Sequence, residues 1–249
     1  MTSIFCLRLA AGLMAGLILL SPVQVNPRFY RAQFWIALGL VAAAALFASE
    51  FAELALWIAF GISGMAALAG SVVWALEGAP GGRLSIAVTA VALAATLALA
   101  ECNRSDAGSL SHRLAGDAAS AALLGTVMTA MLLGHFYLIA PGMSLTPLLR
   151  LLGATAAAIG LRMAVSALGL WSWTRDHSLA TLNDGSVSWL LLRSALGFGG
   201  PLVLLWMAWR AARIRSTQSA TGILYVAVVF CFLGELTGQL LWSHAGILL

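Results

Sequence analysis

Long apolar runs are the feature that most constrains how this chain can fold. Of its 249 residues, 61% are hydrophobic and only 9% are charged, and the mean hydropathy is +0.97. A soluble domain carries roughly 25% charged residues, so this chain could not cover itself with a polar surface in water. The sequence lacks the alternation of apolar and polar residues that is typical of the strands of a membrane β-barrel. A helix satisfies its own backbone hydrogen bonds in lipid, so long apolar runs favour helices. We therefore predict an all-α integral membrane protein.

Eight apolar segments separate at polar, glycine and proline residues. At about 1.5 Å per residue each can cross a hydrocarbon core of about 30 Å, some with tilt. The segments are 4–22, 30–49, 52–76, 84–101, 117–139, 146–171, 187–210 and 218–245. We predict one polytopic membrane domain over 1–249, with helices one to four in 1–101 and helices five to eight in 117–249. This order is compatible with two four-helix bundles.

The first apolar segment follows one basic residue, Arg8, and resembles the apolar part of a signal peptide. However, the stretch from Ser21 to Gln24 offers no convincing small-x-small cleavage site. We therefore expect a retained first helix.

Arginines are distributed unevenly between the two sides of the predicted bundle. By the positive-inside rule, the side with the more basic loops faces the cytoplasm. The odd-numbered loops hold Arg28, Arg31, Arg83, Arg150, Arg210, Arg213 and Arg215, and the even-numbered loops hold Arg104, Arg113 and Arg175. This predicts that both termini lie outside, in a bacterial inner membrane. Topology also explains the basic pI of about 9.5, so we expect no nucleic-acid partner.

Three ionisable residues fall inside apolar segments of the C-terminal half: Arg162, Arg193 and Glu235. A charge in lipid is costly unless it is paired or hydrated, so each is a functional candidate. From the predicted directions of helices six, seven and eight, all three belong to the outer half of the bilayer and could form one cluster. Asp117, at the outer start of helix five, could join it. Gln239 lies one turn beyond Glu235 on the same helix face.

Two other interpretations of these charges stay open. Arg162 or Arg193 could pair with Glu235 only to hold helices six to eight together. Arg193 could also extend to the outer surface, which would leave two buried charges.

Glycine and proline near the buried charges predict local irregularity. Gly234 and Gly238 form a G-x-x-x-G around Glu235, which permits close helix approach and is common in membrane helices. Pro201 in helix seven lacks a backbone donor and frees the carbonyl of Gly197, so we expect a kink there. The kink is either an adaptation to packing alone or a means of widening a pocket beside Arg193.

His135 and Tyr137, at the predicted inner end of helix five, are secondary candidates, although a histidine there is typically a hydrogen-bonding residue. The other three histidines are predicted at the outer side, too far from His135 to share a haem iron with it. The three cysteines lie far apart and no C-x-x-C occurs, which argues against an iron–sulfur cluster or structural zinc. We therefore expect no metal or haem in this chain.

The last two helices resemble the end of DmsC/NrfD-type anchors, the quinone-reactive membrane subunits of molybdopterin oxidoreductases. The resembling stretch runs from Leu190-Leu-Leu-Arg193 through the basic turn 210–215 to Phe232-Leu-Gly-Glu-Leu-Thr-Gly-Gln239. Gln239 stands where the family has an arginine, and Leu241-Trp242 replaces its aromatic pair. The resemblance implies eight helices with external termini, and quinol oxidation or quinone reduction near the outer face beside an iron–sulfur partner.

The leading functional hypothesis is a membrane subunit of a bacterial electron-transfer complex that binds quinone between helices five and eight. In this hypothesis an arginine donates to a quinone carbonyl, Glu235 carries protons, and the redox centres lie in iron–sulfur and molybdopterin partner subunits. A non-redox structural or assembly subunit is one alternative. A small secondary transporter is another, although only helix seven is clearly broken, whereas transporters commonly carry broken helices in both halves.

Overall fold

The computed structural model describes residues 2–48, 53–76, 81–104, 109–140, 142–176 and 184–245, and all regular structure in these ranges is helical. Helices occupy every predicted apolar segment. They are α1 (Thr2–Ile18), α2 (Pro27–Leu46), α3 (Leu54–Val73), α4 (Gly82–Cys102), α5 (Leu110–Ile139), α6 (Thr146–Asp176), α7 (Asp184–Ser194), α8 (Gly200–Arg213) and α9 (Thr217–Ala245). A π-helical turn, Ala195–Gly199, joins α7 to α8 without a break.

Within the described residues, seven helices are long and apolar enough to cross a membrane, and α7 and α8 count as one of them. The helix α1 has 17 residues and is shorter than these seven. Several helices expose large apolar side chains on the outer surface of the protein. Among those exposed are Trp57, Ile62 and Met65 of α3, and Val203 and Trp206 of α8. Such a surface is suited to a lipid bilayer and not to water.

Side-chain caps explain where two helices begin. The Asn26 side chain accepts from the backbone N–H of Arg28, with Pro27 as the first residue of α2. The Ser109 hydroxyl accepts from the backbone N–H of His112, so α5 begins at Leu110 and not near residue 117 as its apolar run indicated. Arg113, which was assigned to a loop, therefore lies within α5.

The helices pack as two closed rings of four. In the first ring α1 packs on α2 and α4, and α3 packs on α2 and α4. In the second ring α5 packs on α6 and α9, and α8 packs on the same two helices. The two rings meet mainly where α1 packs on α5, so the first helix of each ring lies at the centre of the molecule. This arrangement matches the expected two four-helix bundles.

Small residues allow α1 and α5 to approach closely. A Cβ atom on Gly12 would lie 1.9 Å from the carbonyl oxygen of Ala121, and one on Gly16 would lie 2.7 Å from the hydroxyl of Thr129. Gly125 faces Gly12 across the same contact. Because residue numbers rise together along both helices, α1 and α5 are parallel, and their crossing is of the small-x-x-x-small type.

Candidate functional site

The carboxylate of Glu235 lies at the centre of a buried cluster. Its Oε1 accepts from Arg162 Nε at 3.0 Å and from Arg193 Nη2 at 2.8 Å. Its Oε2 accepts from Arg162 Nη2 at 3.3 Å and from Ser120 Oγ at 2.6 Å. Both arginines therefore pair with Glu235, so helices α5, α6, α7 and α9 all contribute to one cluster. Arg193 is 1% exposed, and the alternative that it extends to the surface is wrong.

The π-helical turn places Arg193 at the end of α7. Pro201 has no backbone N–H to donate to Gly197, so the regular ladder cannot continue through this point. Instead the N–H of Gly200 donates to the carbonyl of Ala195, five residues earlier, which is a π-helical bond. The predicted irregularity in helix seven is therefore present, and it takes this form immediately after the arginine.

The Arg193 side chain packs between the ring of Phe198 and two glycine residues of α9. Its guanidinium lies 4.7 Å from the centre of the Phe198 ring. On the other side, a Cβ added to Gly238 would lie 3.5 Å from its Cζ and Nε. A Cβ on Gly234 would lie only 2.3 Å from the Cα of Gly197, so backbone meets backbone there. The G-x-x-x-G of α9 therefore allows α7 and the π-helical turn to pack closely against α9. Among the described residues, Nε and Nη1 of Arg193 have no hydrogen-bond partner.

Replacing Gly234 by alanine should destabilise the protein, whereas Gly238→Ala should be tolerated. The first change overlaps the backbone of Gly197, and overpacking of this kind costs about 1 to 3 kcal/mol. The second change makes ordinary van der Waals contact with Arg193. Thermal unfolding of the detergent-solubilised protein measures both. Equal unfolding temperatures for the two variants would contradict the close α7–α9 approach.

A second ion pair lies beside the first cluster. Arg8 Nε donates to Asp117 Oδ1 at 2.7 Å, and Nη2 of Arg8 contacts the same oxygen. Asp117 is 2% exposed, and its Oδ2 has no hydrogen-bond partner among the described residues. The α1–α5 crossing produces this pair, because Arg8 precedes Gly12 by four residues and Asp117 precedes Ala121 by four.

Sequence reasoning did not assign a site role to Arg8. The available signal was the spacing of small residues behind each charge, Arg8-x-x-x-Gly12 and Asp117-x-x-x-Ala121. On each helix the charged residue lies one turn before a row of small residues. When the two rows pack against each other in parallel, the two charged residues come into contact. Ser120, which donates to Glu235, carried no signal because serine is common in membrane helices.

A third charged group lies at the junction of α4 and α5. Glu101 is 1% exposed and accepts from Arg104 Nη1 at 3.0 Å. Arg113 donates from Nη2 to the backbone carbonyl of Glu101 at 3.3 Å, and its Nε lies 3.7 Å from Oε2 of the same residue. Only Arg104 and Arg113 were assigned to the polar connection between helices four and five, and Glu101, the last residue of the fourth apolar segment, was given no site role. The structure places Arg113 within α5 and buries the Glu101 side chain at the end of α4.

One cavity joins the three charged groups. It has a volume of about 60 Å³ and lies at the end of the bundle that holds both ends of the described chain, since Ile4 and Trp242 line it. The ionisable lining residues are Arg8, Glu101, Arg104, Arg113, Asp117, Arg162 and Glu235. Gln239 also lines this terminal cavity, and its Nε2 has no hydrogen-bond partner among the described residues. The cavity extends from Arg104, whose side chain is 28% exposed, to the buried Glu235.

The secondary candidates lie elsewhere. His135 is exposed, and its Nδ1 is 3.3 Å from the hydroxyl of Tyr225. The Tyr137 hydroxyl donates to the carbonyl of Ser144 at 2.5 Å, where it ties the end of α5 to the following turn. At about 1.5 Å per residue, His135 lies about 27 Å along α5 from Asp117. The structure therefore does not bring His135 or Tyr137 to the terminal cavity.

Residues that could bind a metal do not cluster in the described part of the chain, where no group of three or more His, Cys, Asp or Glu side chains is suitably placed. His177 lies outside the described residues, and so does the side chain of His244. The terminal cavity offers guanidinium groups, carboxylates and an amide, which bind polar organic groups by hydrogen bonds.

No protein-family model matches this chain, and no curated protein or solved structure is detectably similar to it. The fold and the site therefore define a class only: an all-α protein whose helices are long and apolar enough for a multi-pass membrane protein, with a buried, arginine-rich cavity at one end.

Proposed function

We propose that this chain is the membrane subunit of a bacterial electron-transfer complex and binds quinone or quinol at the terminal cavity. In this proposal eight helical passes cross the inner membrane and both termini lie outside. The observation that carries it is the convergence of α1, α4, α5, α6 and α9, which line one cavity with ionisable side chains. Buried charges in a membrane protein are costly, and they mark ligand or ion sites when they line a cavity.

The chemistry of the terminal cavity suits the polar edge of a quinone ring. Guanidinium groups donate to carbonyl oxygens, and carboxylates accept from the hydroxyls of the reduced form. With the arginine bias of the loops, the cavity lies toward the outer face. The C-terminal resemblance to quinone-reactive anchors also supports a quinone site near the outer face. In this proposal the electrons pass to iron–sulfur and molybdopterin partner subunits.

The size of the terminal cavity limits how a ring can bind. A cavity that holds benzene has a volume of about 150 Å³, whereas the terminal cavity has about 60 Å³. The polar edge of a ring fits this volume, and the body of the ring needs space outside it. Water molecules can occupy the remainder and connect Glu235 to the exposed end.

Quinone binding can be measured on the purified chain in phosphatidylcholine nanodiscs. Decylubiquinone should quench the tryptophan fluorescence, and the quenching should saturate once the concentration of probe in the lipid, measured with empty nanodiscs, is taken into account. Arg162→Leu should weaken this binding at least about tenfold, the usual effect of losing a charge-assisted hydrogen bond. Arg150→Leu is the matched control, because Arg150 is exposed, does not line the terminal cavity and donates to the carbonyl of Leu19. Quenching that never saturates in the wild type would overturn the proposal.

A specific observation favours a second candidate, a structural or assembly subunit. The Glu235 carboxylate already accepts four hydrogen bonds, two at each oxygen, so it has no free lone pair to offer a ligand. A saturated carboxylate fits a role in holding four helices together. In the quinone proposal Glu235 therefore positions the two arginines, and the ligand meets Arg162 and not Glu235.

A further inference from the structure

A groove beside the terminal cavity lies between α4 and α5. It has a volume of about 360 Å³ and is lined by small apolar residues of α1, α4 and α5, with Asp117 among them. We call it the α4–α5 groove and define it by Gly12, Ala94, Ala118, Ala121 and Asp117. The helix α4 packs mainly on α1 and α3 and meets α5 much less, which leaves the groove open.

The two sides of the groove differ in exposure. Ala94 and Ala118 are exposed and form its rim, whereas Gly12 and Ala121 are buried and form its base. Because the rim faces outward between membrane-length helices, an apolar molecule can enter sideways from lipid. The groove is more than twice the volume of a benzene-holding cavity, which is about 150 Å³, so it has room for a one- or two-ring aromatic system.

Asp117 provides the polar end of the groove and also lines the terminal cavity. One of its oxygens is occupied by Arg8, while Oδ2 is buried and has no hydrogen-bond partner among the described residues. A carboxylate paired with a guanidinium only accepts hydrogen bonds. A buried acceptor without a donor is unfavourable, so the site favours a ligand that brings an O–H group.

We propose that the α4–α5 groove binds the ring of a quinol, and that Asp117 Oδ2 accepts a hydrogen bond from the quinol hydroxyl. The inference rests on the proposed function and deepens it, because it selects the reduced form and gives the ring a place that the terminal cavity lacks. The position differs from the sequence-based expectation of a site between helices five and eight. The apolar chain of the quinol extends from the rim into lipid.

The selection for hydroxyl groups can be tested with two probes of the same shape. Decylhydroquinone and its dimethyl ether are titrated anaerobically into the full chain in phosphatidylcholine nanodiscs, with empty nanodiscs as the partition control. The hydroquinone should bind at least about tenfold more tightly than the ether, which has no O–H to donate. Asp117→Asn should abolish this preference, because its amide oxygen then pairs with Arg8 and its N–H₂ takes the position of Oδ2, where it cannot accept from a hydroxyl. Equal affinities for the two probes in the wild type would overturn the inference.

A second pair of variants tests the place of the ring. Ala118→Phe fills the rim and should weaken decylhydroquinone binding at least about tenfold, since the ring loses its volume. Ala95→Phe is the matched control, because Ala95 is exposed on α4 and does not line the groove. If Ala118→Phe binds as the wild type does, the groove assignment is wrong even where quinone binding is real. If no quinone or hydroquinone probe binds saturably, the proposed function fails with it.

Discussion

Replacing Glu235 by glutamine should destabilise the protein by about 3 to 5 kcal/mol, the usual cost of removing one partner of a buried ion pair. The glutamine keeps the shape of the side chain, but it leaves the guanidinium groups of Arg162 and Arg193 without their shared anion. Both arginines are at most 3% exposed, so bulk water cannot replace the lost carboxylate. Thermal or urea unfolding in detergent measures the change.

A double variant separates this electrostatic effect from a general loss of packing. Arg193→Gln together with Glu235→Gln removes one positive and one negative charge, so the cluster keeps the net charge of the wild type, whereas Glu235→Gln alone leaves two positive charges unbalanced. The double variant should therefore be less destabilised than the sum of the two single variants, with a coupling energy of about 1 to 3 kcal/mol. Additive effects would contradict direct pairing between Arg193 and Glu235.

Gly125→Ala should have an effect of similar size through a different cause. A Cβ atom at this position would lie 1.9 Å from the carbonyl carbon of Gly12 and 2.1 Å from its oxygen. Both atoms belong to the backbone, so α1 and α5 must separate, and the Arg8–Asp117 contact is lost with them. We expect destabilisation of about 3 kcal/mol or more, at or above the upper end for overpacked cores.

Gly39→Ala on α2 is the control for this change. No atom lies within 4 Å of a Cβ added there, so the substitution adds only the better helix propensity of alanine, about 1 kcal/mol. The variant should be as stable as the wild type or slightly more so. If Gly125→Ala unfolds at the same temperature as Gly39→Ala, the close α1–α5 crossing is wrong.

The all-α fold and the order of its helices followed from the sequence because both are local properties. An apolar run of membrane length forms a helix whatever its neighbours are, and the apolar segments and the helices coincide. Their ends differed where a cap, such as Ser109 before α5, extended a helix beyond its apolar run. A local irregularity was predictable from Pro201, since a missing donor acts within one turn of the helix, whereas its π-helical form was not predicted.

The site was predictable only where a charge stood out against its surroundings. Arg162, Arg193 and Glu235 are conspicuous in apolar segments, and their common depth indicated a cluster. Arg8 and Glu101 lie near helix ends, where charges are ordinary, so their inward direction depends on which helices pack together. The α4–α5 groove is left open mainly because alanine and glycine residues line it and do not fill the space between the helices. A space of this kind depends on how the helices pack, so the sequence alone does not predict it.

The central proposal is that this chain passes quinol electrons to redox partners at its terminal cavity. The direct test is single-turnover anaerobic oxidation of menadiol by the complex that a tagged chain retains from bacterial membranes, with the oxidised centres of the retained redox subunits as the electron acceptors and with the wild type and Arg162→Leu compared. We predict that both retain iron–sulfur and molybdopterin subunits, and that the variant loses about 100-fold in menadiol oxidation, equivalent to about 2.7 kcal/mol. An assembled Arg162→Leu complex with the wild-type rate, or a wild-type chain that retains no redox subunit, would contradict the account.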